Sequence, residues 1–135
     1  MAIDRSMPVL IADDSDTMIV ILRRMLHQLG FRNVDAAGDG ATALAKMRAK
    51  HYGLVISDWN MEAMSGYDFL REMRRDAGLK RTPFIMMTSE SRTDNLIAAK
   101  KAGVDNYIVK PFDVNTLKTK INTVYAARTA VVAEP

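Results

Sequence analysis

Five short apolar runs, each followed by a segment with helical spacing, constrain this chain more than any other feature. Val9-Leu10-Ile11-Ala12, Leu54-Val55-Ile56 and Phe84-Ile85-Met86-Met87 are apolar without alternation, so both faces of each strand are expected to be buried. Pro83 opens the last of these, where its missing N–H matters least. Weaker strands are expected at Phe31–Ala37 and Val104–Val109. Between them the period changes. Met18, Ile21, Leu22, Met25, Leu26 and Leu29 recur at helical spacing, with Ser15 or Asp16 to cap the helix and Gly30 to end it. Ala41–Lys50 turns Leu44 and Met47 inward, and Gly66–Arg75 buries Phe69, Leu70 and Met73. Thr93–Ala102 and a last helix marked by Val114, Leu117, Ile121, Val124 and Tyr125 complete the set. Apolar strands alternating with helices give an α/β fold, a parallel sheet covered on both faces.

The chain has 135 residues, 48% of them apolar, enough to give one domain a real core. No apolar run approaches the roughly 20 residues of a membrane span, and "MAIDRSMP" lacks the apolar stretch of a secretory signal. There are no cysteines, which excludes disulfides and thiolate metal sites and fits a cytoplasmic setting. A net charge of +3 is too small to argue for DNA, and "LREMRRDAGLKR" reads as a solvated basic helix face. Ten methionines suit core gaps without any metal role. The expected domain spans 8–127, with short tails at 1–7 and 128–135, which leaves no length for a fused output domain.

The chemistry collects where the strands end. Asp13 and Asp14 follow the first strand, Asp58 the third, Thr88, Ser89 and Glu90 the fourth, Lys110 and Pro111 the fifth. In an open parallel sheet these positions share the carboxyl edge, where ligands bind at the point at which strand order reverses. If the order is 2-1-3-4-5, Asp14 and Asp58 flank one crevice. Gathered carboxylates repel each other and call for a cation, and an all-oxygen set suits Mg²⁺. A carboxylate beside Mg²⁺, a lysine and a hydroxyl can accept a phosphoryl group. Each residue alone is commonly a cap, a turn or a solvated loop residue. Together, on one edge, they are not so easily dismissed.

"IADDSDTM", "VISDWNM", "MMTSE" and "YIVKPF" stand in this order at successive strand ends. From about Pro8 to Tyr125 the chain resembles response-regulator receiver domains, most of all the single-domain regulators of chemotaxis. The resemblance implies a flavodoxin-like three-layer sandwich of five strands, in the order 2-1-3-4-5, and five helices. It implies that Asp58 is the phosphoacceptor and that Asp13, Asp14 and Asp58, with the backbone carbonyl of Asn60, bind Mg²⁺. Thr88 resembles the switch hydroxyl, Lys110 the lysine that contacts the acyl phosphate, and Tyr107 the switch aromatic. Lys110-Pro111 resembles the family's cis bond. Asn60 and Glu90 stand where the family tunes the lifetime of the phosphate, and a small Ser89 leaves the site open.

The implied function is a two-component response regulator. A histidine kinase donates the phosphoryl group, and the face of the fourth helix, fifth strand and fifth helix then binds a downstream protein. The expected state is a cytoplasmic monomer that self-assists phosphotransfer without being an enzyme in the usual sense. Glu62 departs from the pattern, which has proline there; it can orient a metal-bound water or face solvent, and solvent is favoured. Trp59 beside the acceptor is either a reporter of metal binding or a surface aromatic. His27 and His51 read as helix-surface residues. Two alternatives share the fold: a phosphorelay intermediate, and an adaptor binding a nucleotide second messenger. A flavodoxin-like redox role is disfavoured, since the acids of "DDSDT" repel a flavin phosphate.

Overall fold

The computed structural model describes residues 3–89 and 93–133. The elements run β1 (Val9–Ala12), α1 (Asp16–Gln28), β2 (Val34–Ala37), α2 (Gly40–Ala49), β3 (Leu54–Asp58), α3 (Gly66–Arg75), β4 (Phe84–Thr88), α4 (Thr93–Ala102), β5 (Asn106–Val109) and α5 (Val114–Ala133). All strand pairs are parallel and the sheet order is β2-β1-β3-β4-β5. β1 therefore lies between β2 and β3, and the winding reverses there.

The period of two along each strand sorts the core into two layers. Leu10, Val55, Phe84 and Met86 point to the side of α2 and α3, where Leu44, Met47, Phe69, Leu70 and Met73 cover them. Val9, Ile11, Ile56 and Ile85 point to the other side, under Leu22 and Leu26 of α1 and Leu117 and Ile121 of α5. Phe69, Phe84 and Ile56 are fully enclosed, and each such side chain stabilises the fold by about 1.5–3 kcal/mol relative to exposure. This rigid double-sided mount fixes the strand ends that carry the polar residues.

Four local readings differ from the sequence. Ile21 is 41% exposed. The stripe on α1 is centred on Leu22 and Leu26, and Ile21 lies about 100° round the helix from Leu22, while Ile19 packs against the core in its place. Phe31 lies outside β2 and is 2% exposed; it fills the core beneath α1 instead of pairing. Val104 precedes β5 because its N–H is taken by the Ala99 carbonyl at the end of α4, 3.0 Å away. His51 stands past the end of α2, not on it.

α5 also continues to Ala133, through the stretch assigned to a tail. Its Arg128 is a structural anchor. Arg128 Nη2 lies 2.8 Å from Asp105 Oδ1 and Arg74 Nη2 lies 3.1 Å from Asp105 Oδ2. Asp105 Oδ2 also accepts the Phe84 N–H at 2.8 Å. One carboxylate thus ties α3, the start of β4, the approach to β5 and the end of α5 together, at the edge of the sheet opposite the candidate site.

Candidate functional site

Asp13 leaves β1 in a tight turn. Its N–H donates to Ala37 O at 3.0 Å, and its Oδ1 accepts the Ser15 N–H at 2.9 Å. Ser15 in turn caps α1 by accepting the Met18 N–H at 3.2 Å. The turn buries Asp13 to 1% exposure and leaves Asp14 on the surface. Asp58 closes β3, its register opposite Met87 of β4. Thr88 closes β4 and is buried. Lys110 follows β5; its N–H donates to Thr88 O at 2.7 Å and its bond to Pro111 is cis. The carboxyl edge has gathered all of them around the point where the winding reverses.

Lys110 Nζ lies 3.0 Å from Asp13 Oδ2 and 3.0 Å from Asp58 Oδ1. Asp13, Asp14 and Asp58 each bring one carboxylate oxygen within 4.8 Å of the other two. Burial pushes the Asp58 carboxyl above its ordinary range; Lys110 pulls it back, and the charges of Asp13 and Asp14 push it up again. Burial pulls the Lys110 ammonium down, but its hydrogen bonds to Asp13 and Asp58 and their charges outweigh this and raise it. Lys110 is therefore a fixed positive charge, although one cation does not neutralise three carboxylates. A cluster of hard oxygen donors at this spacing, with one member open to solvent, fits a divalent ion of the Mg²⁺ type that retains waters.

The loop after Asp58 is held by backbone bonds. Trp59 N–H donates to Met87 O at 2.8 Å, and Trp59 O accepts the Gly66 N–H at 2.8 Å. Met61 is buried and Met64 packs against the same core layer. Asn60 and Glu62 are both exposed. Ala63 takes φ 64°, and the Met64 N–H reaches back to Glu62 O at 2.8 Å. This three-residue turn with positive φ is a rare conformation for a residue with a Cβ. Trp59 stacks on Tyr67, with ring centroids 5.4 Å apart and planes 15° from parallel.

Tyr107 on β5 is half-buried against the α3 side of the core, and Lys120 Nζ lies 5.2 Å above its ring. It borders a cavity of about 330 Å³ with Leu96, Ile97, Lys100 and Val104, and Ile97 is 50% exposed. Ser89 is exposed, and Glu90 lies outside the described residues. His27 and His51 are exposed and belong to no acidic cluster found among the described residues. Sequence reasoning passed over Tyr67 and the Asp105 anchor. Neither shows in a period or a motif, because each meets its partners only after the loops close.

The family model of the response regulator receiver domain matches residues 9–122. Chemotaxis protein CheY-3 of Vibrio cholerae is 42% identical over 91% of this chain and 95% of its own length. Chemotaxis protein CheY of Pseudomonas aeruginosa is 43% identical over 88% of this chain and 96% of its own. The solved structure of V. cholerae chemotaxis protein CheY4 superposes with a TM-score of 0.83 at 33% identity, covering 88% of this chain and 98% of that one. A parallel sheet in the order seen here, an acidic cluster at its carboxyl edge and this family match agree: the chain belongs to the response regulator receiver domain family.

Proposed function

We propose that this protein is a chemotaxis-type response regulator that accepts a phosphoryl group on Asp58 from a histidine kinase. The observation that carries the reading is Lys110 Nζ, 3.0 Å from Asp58 and from Asp13, within a three-carboxylate cluster. The oxygen of Asp58 attacks the phosphorus of a phosphohistidine. A P–O bond forms, the P–N bond breaks, and the imidazole keeps the electron pair and takes up a proton. Lys110 neutralises the developing charge on the phosphoryl oxygens. Asp13, Asp14, Asp58 and the Asn60 carbonyl are the residues that would hold Mg²⁺, which supplies charge neutralisation for the attacking carboxylate and the phosphoryl group. Asn60 and Glu90 govern how long the acyl phosphate survives.

Thr88 and Lys110 form the link to the output, since the Lys110 N–H is bonded to the Thr88 carbonyl. As both draw toward the new dianion, Tyr107 changes position and the face of α4, β5 and α5 changes its partner affinity, a population shift between two arrangements. The exposed Ile97 and the cavity beside Tyr107 suit that face to a downstream protein. We place the protein in the cytoplasm as a monomer, with a flagellar-motor component as output, in keeping with relatives described as chemotaxis proteins. Beryllofluoride with Mg²⁺ tests the reading. It should shift Tyr107 and Ile97 resonances in the wild type and leave Asp58→Asn unchanged. The same complex used as bait in a pull-down identifies the output partner. Equal shifts in both proteins would contradict the assignment.

A further inference from the structure

We propose that Tyr67 is a positioning residue for the phosphoryl-transfer site, acting through Trp59; this rests on the reading of Asp58 as acceptor. Trp59 stands between Asp58, the acceptor, and Asn60, whose carbonyl is assigned to the metal. Its backbone is pinned at both ends, to Met87 on β4 and to Gly66 on α3. Its side chain is held by the stack on Tyr67, 5.4 Å between centroids at 15°. Arg71, one helical turn beyond, sets its guanidinium carbon 5.7 Å from the centre of the Tyr67 ring. A cation and an aromatic neighbour thus fix the phenol that fixes the indole.

The sequence makes this stack possible at Gly66. A Cβ there would lie 2.0 Å from the Asp58 carbonyl oxygen, so only glycine lets the first turn of α3 approach the acceptor strand so closely. That approach brings the next residue, Tyr67, against Trp59. Trp59 also packs against the core layer of α2 and α3, and without the Tyr67 ring its indole would be held by that contact alone. A looser indole would widen the motion of the residue that joins Asp58 to Asn60, the positions assigned to the phosphoryl group and the metal, within the limits set by its backbone bonds. Groups that hold a metal's ligands change its affinity about 10–100-fold when replaced, and Tyr67, one contact further out through Trp59, is expected at the low end of that range.

Trp59 is the sole tryptophan, so its emission reports on the clamp without ambiguity. The experiment compares wild type, Tyr67→Phe, Tyr67→Leu and Tyr67→Ala, each shown to be folded by circular dichroism. Anisotropy and acrylamide quenching of Trp59 are read without Mg²⁺, Mg²⁺ binding by calorimetry, and acyl-phosphate formation with acetyl phosphate, with Asp58→Asn as control. Tyr67→Ala and Tyr67→Leu should show a more mobile, more quenchable indole and Mg²⁺ affinity weaker by about tenfold, and Tyr67→Phe should restore both. A loosened indole with Mg²⁺ affinity and phosphorylation within twofold of wild type would overturn the inference alone. So would an indole no looser than in wild type. A wild type that binds no Mg²⁺, or labelling that survives in Asp58→Asn, would overturn the underlying reading and the inference with it.

Discussion

Gly66 sits so close to Asp58 that a Cβ built on it would fall 2.0 Å from the Asp58 carbonyl oxygen. α3 therefore begins in contact with the backbone of Asp58, the proposed acceptor. Gly66→Ala should push these apart, costing about 2–3 kcal/mol in urea unfolding and slowing phosphorylation. Wild-type stability in the variant would show that the approach is not tight.

The acidic cluster makes its own prediction. Burial already raises the Asp58 carboxyl, and Asp13 and Asp14 add to the repulsion. In chelator, Asp58→Asn should therefore melt above wild type, by a margin worth about 1 kcal/mol. Mg²⁺ should reverse the order, stabilising wild type by roughly 2.7 kcal/mol at a hundred times its dissociation constant. Calorimetric melts with and without Mg²⁺ give both answers. A wild type unmoved by millimolar Mg²⁺ would count against the metal assignment.

At the opposite edge, Asp105 pairs with both Arg74 and Arg128 and accepts the Phe84 N–H. Asp105→Ala strands two cations and a backbone donor together, and should destabilise the fold by about 3 kcal/mol. Phosphorylation in the absence of denaturant should be unchanged, since the site lies at the other end of the sheet. Denaturation curves alongside labelling rates separate the two effects.

Tyr125 supplies a pH dependence remote from the acidic cluster of Asp13, Asp14 and Asp58. Its phenol donates to Gly53 O at 2.5 Å, and burial pushes its pKa up to about 12. An unfolded tyrosine titrates near 10, so the folded state holds this proton more tightly. The resulting stability is fully present below about pH 10 and is lost as the pH climbs toward 12. Tyr125→Phe should lose about 1 kcal/mol at neutral pH and show a shallower alkaline decline. Parallel pH slopes in the two proteins would contradict the assignment.

Much of this was legible in the residues. Unbroken apolar runs announced the parallel sheet, and the acids, hydroxyl and lysine at its strand ends announced the site, because both depend on local period and on which edge a strand end occupies. Ile21 fits the helical spacing yet faces water, because a helical stripe has edges and this residue lies about 100° from its centre. Arg128 stands where the sequence predicts a tail, because an ion pair between residues 105 and 128 leaves no local trace. Glu62 was harder still. It leads into a turn made by Ala63 at positive φ, a conformation the sequence does not advertise. The stack of Tyr67 on Trp59 belongs with these: it spans a loop whose closure depends on Gly66.

The most direct test of the account is to map the phosphoryl group itself. The wild-type chain is incubated with acetyl phosphate and Mg²⁺, the acyl phosphate is trapped by borohydride reduction, and the modified residue is located by peptide mass spectrometry. Modification at Asp58 alone, dependent on Mg²⁺ and absent from Asp58→Asn, is the predicted result; reduction at another carboxylate such as Asp13 or Asp14, or modification that persists in Asp58→Asn, would contradict it.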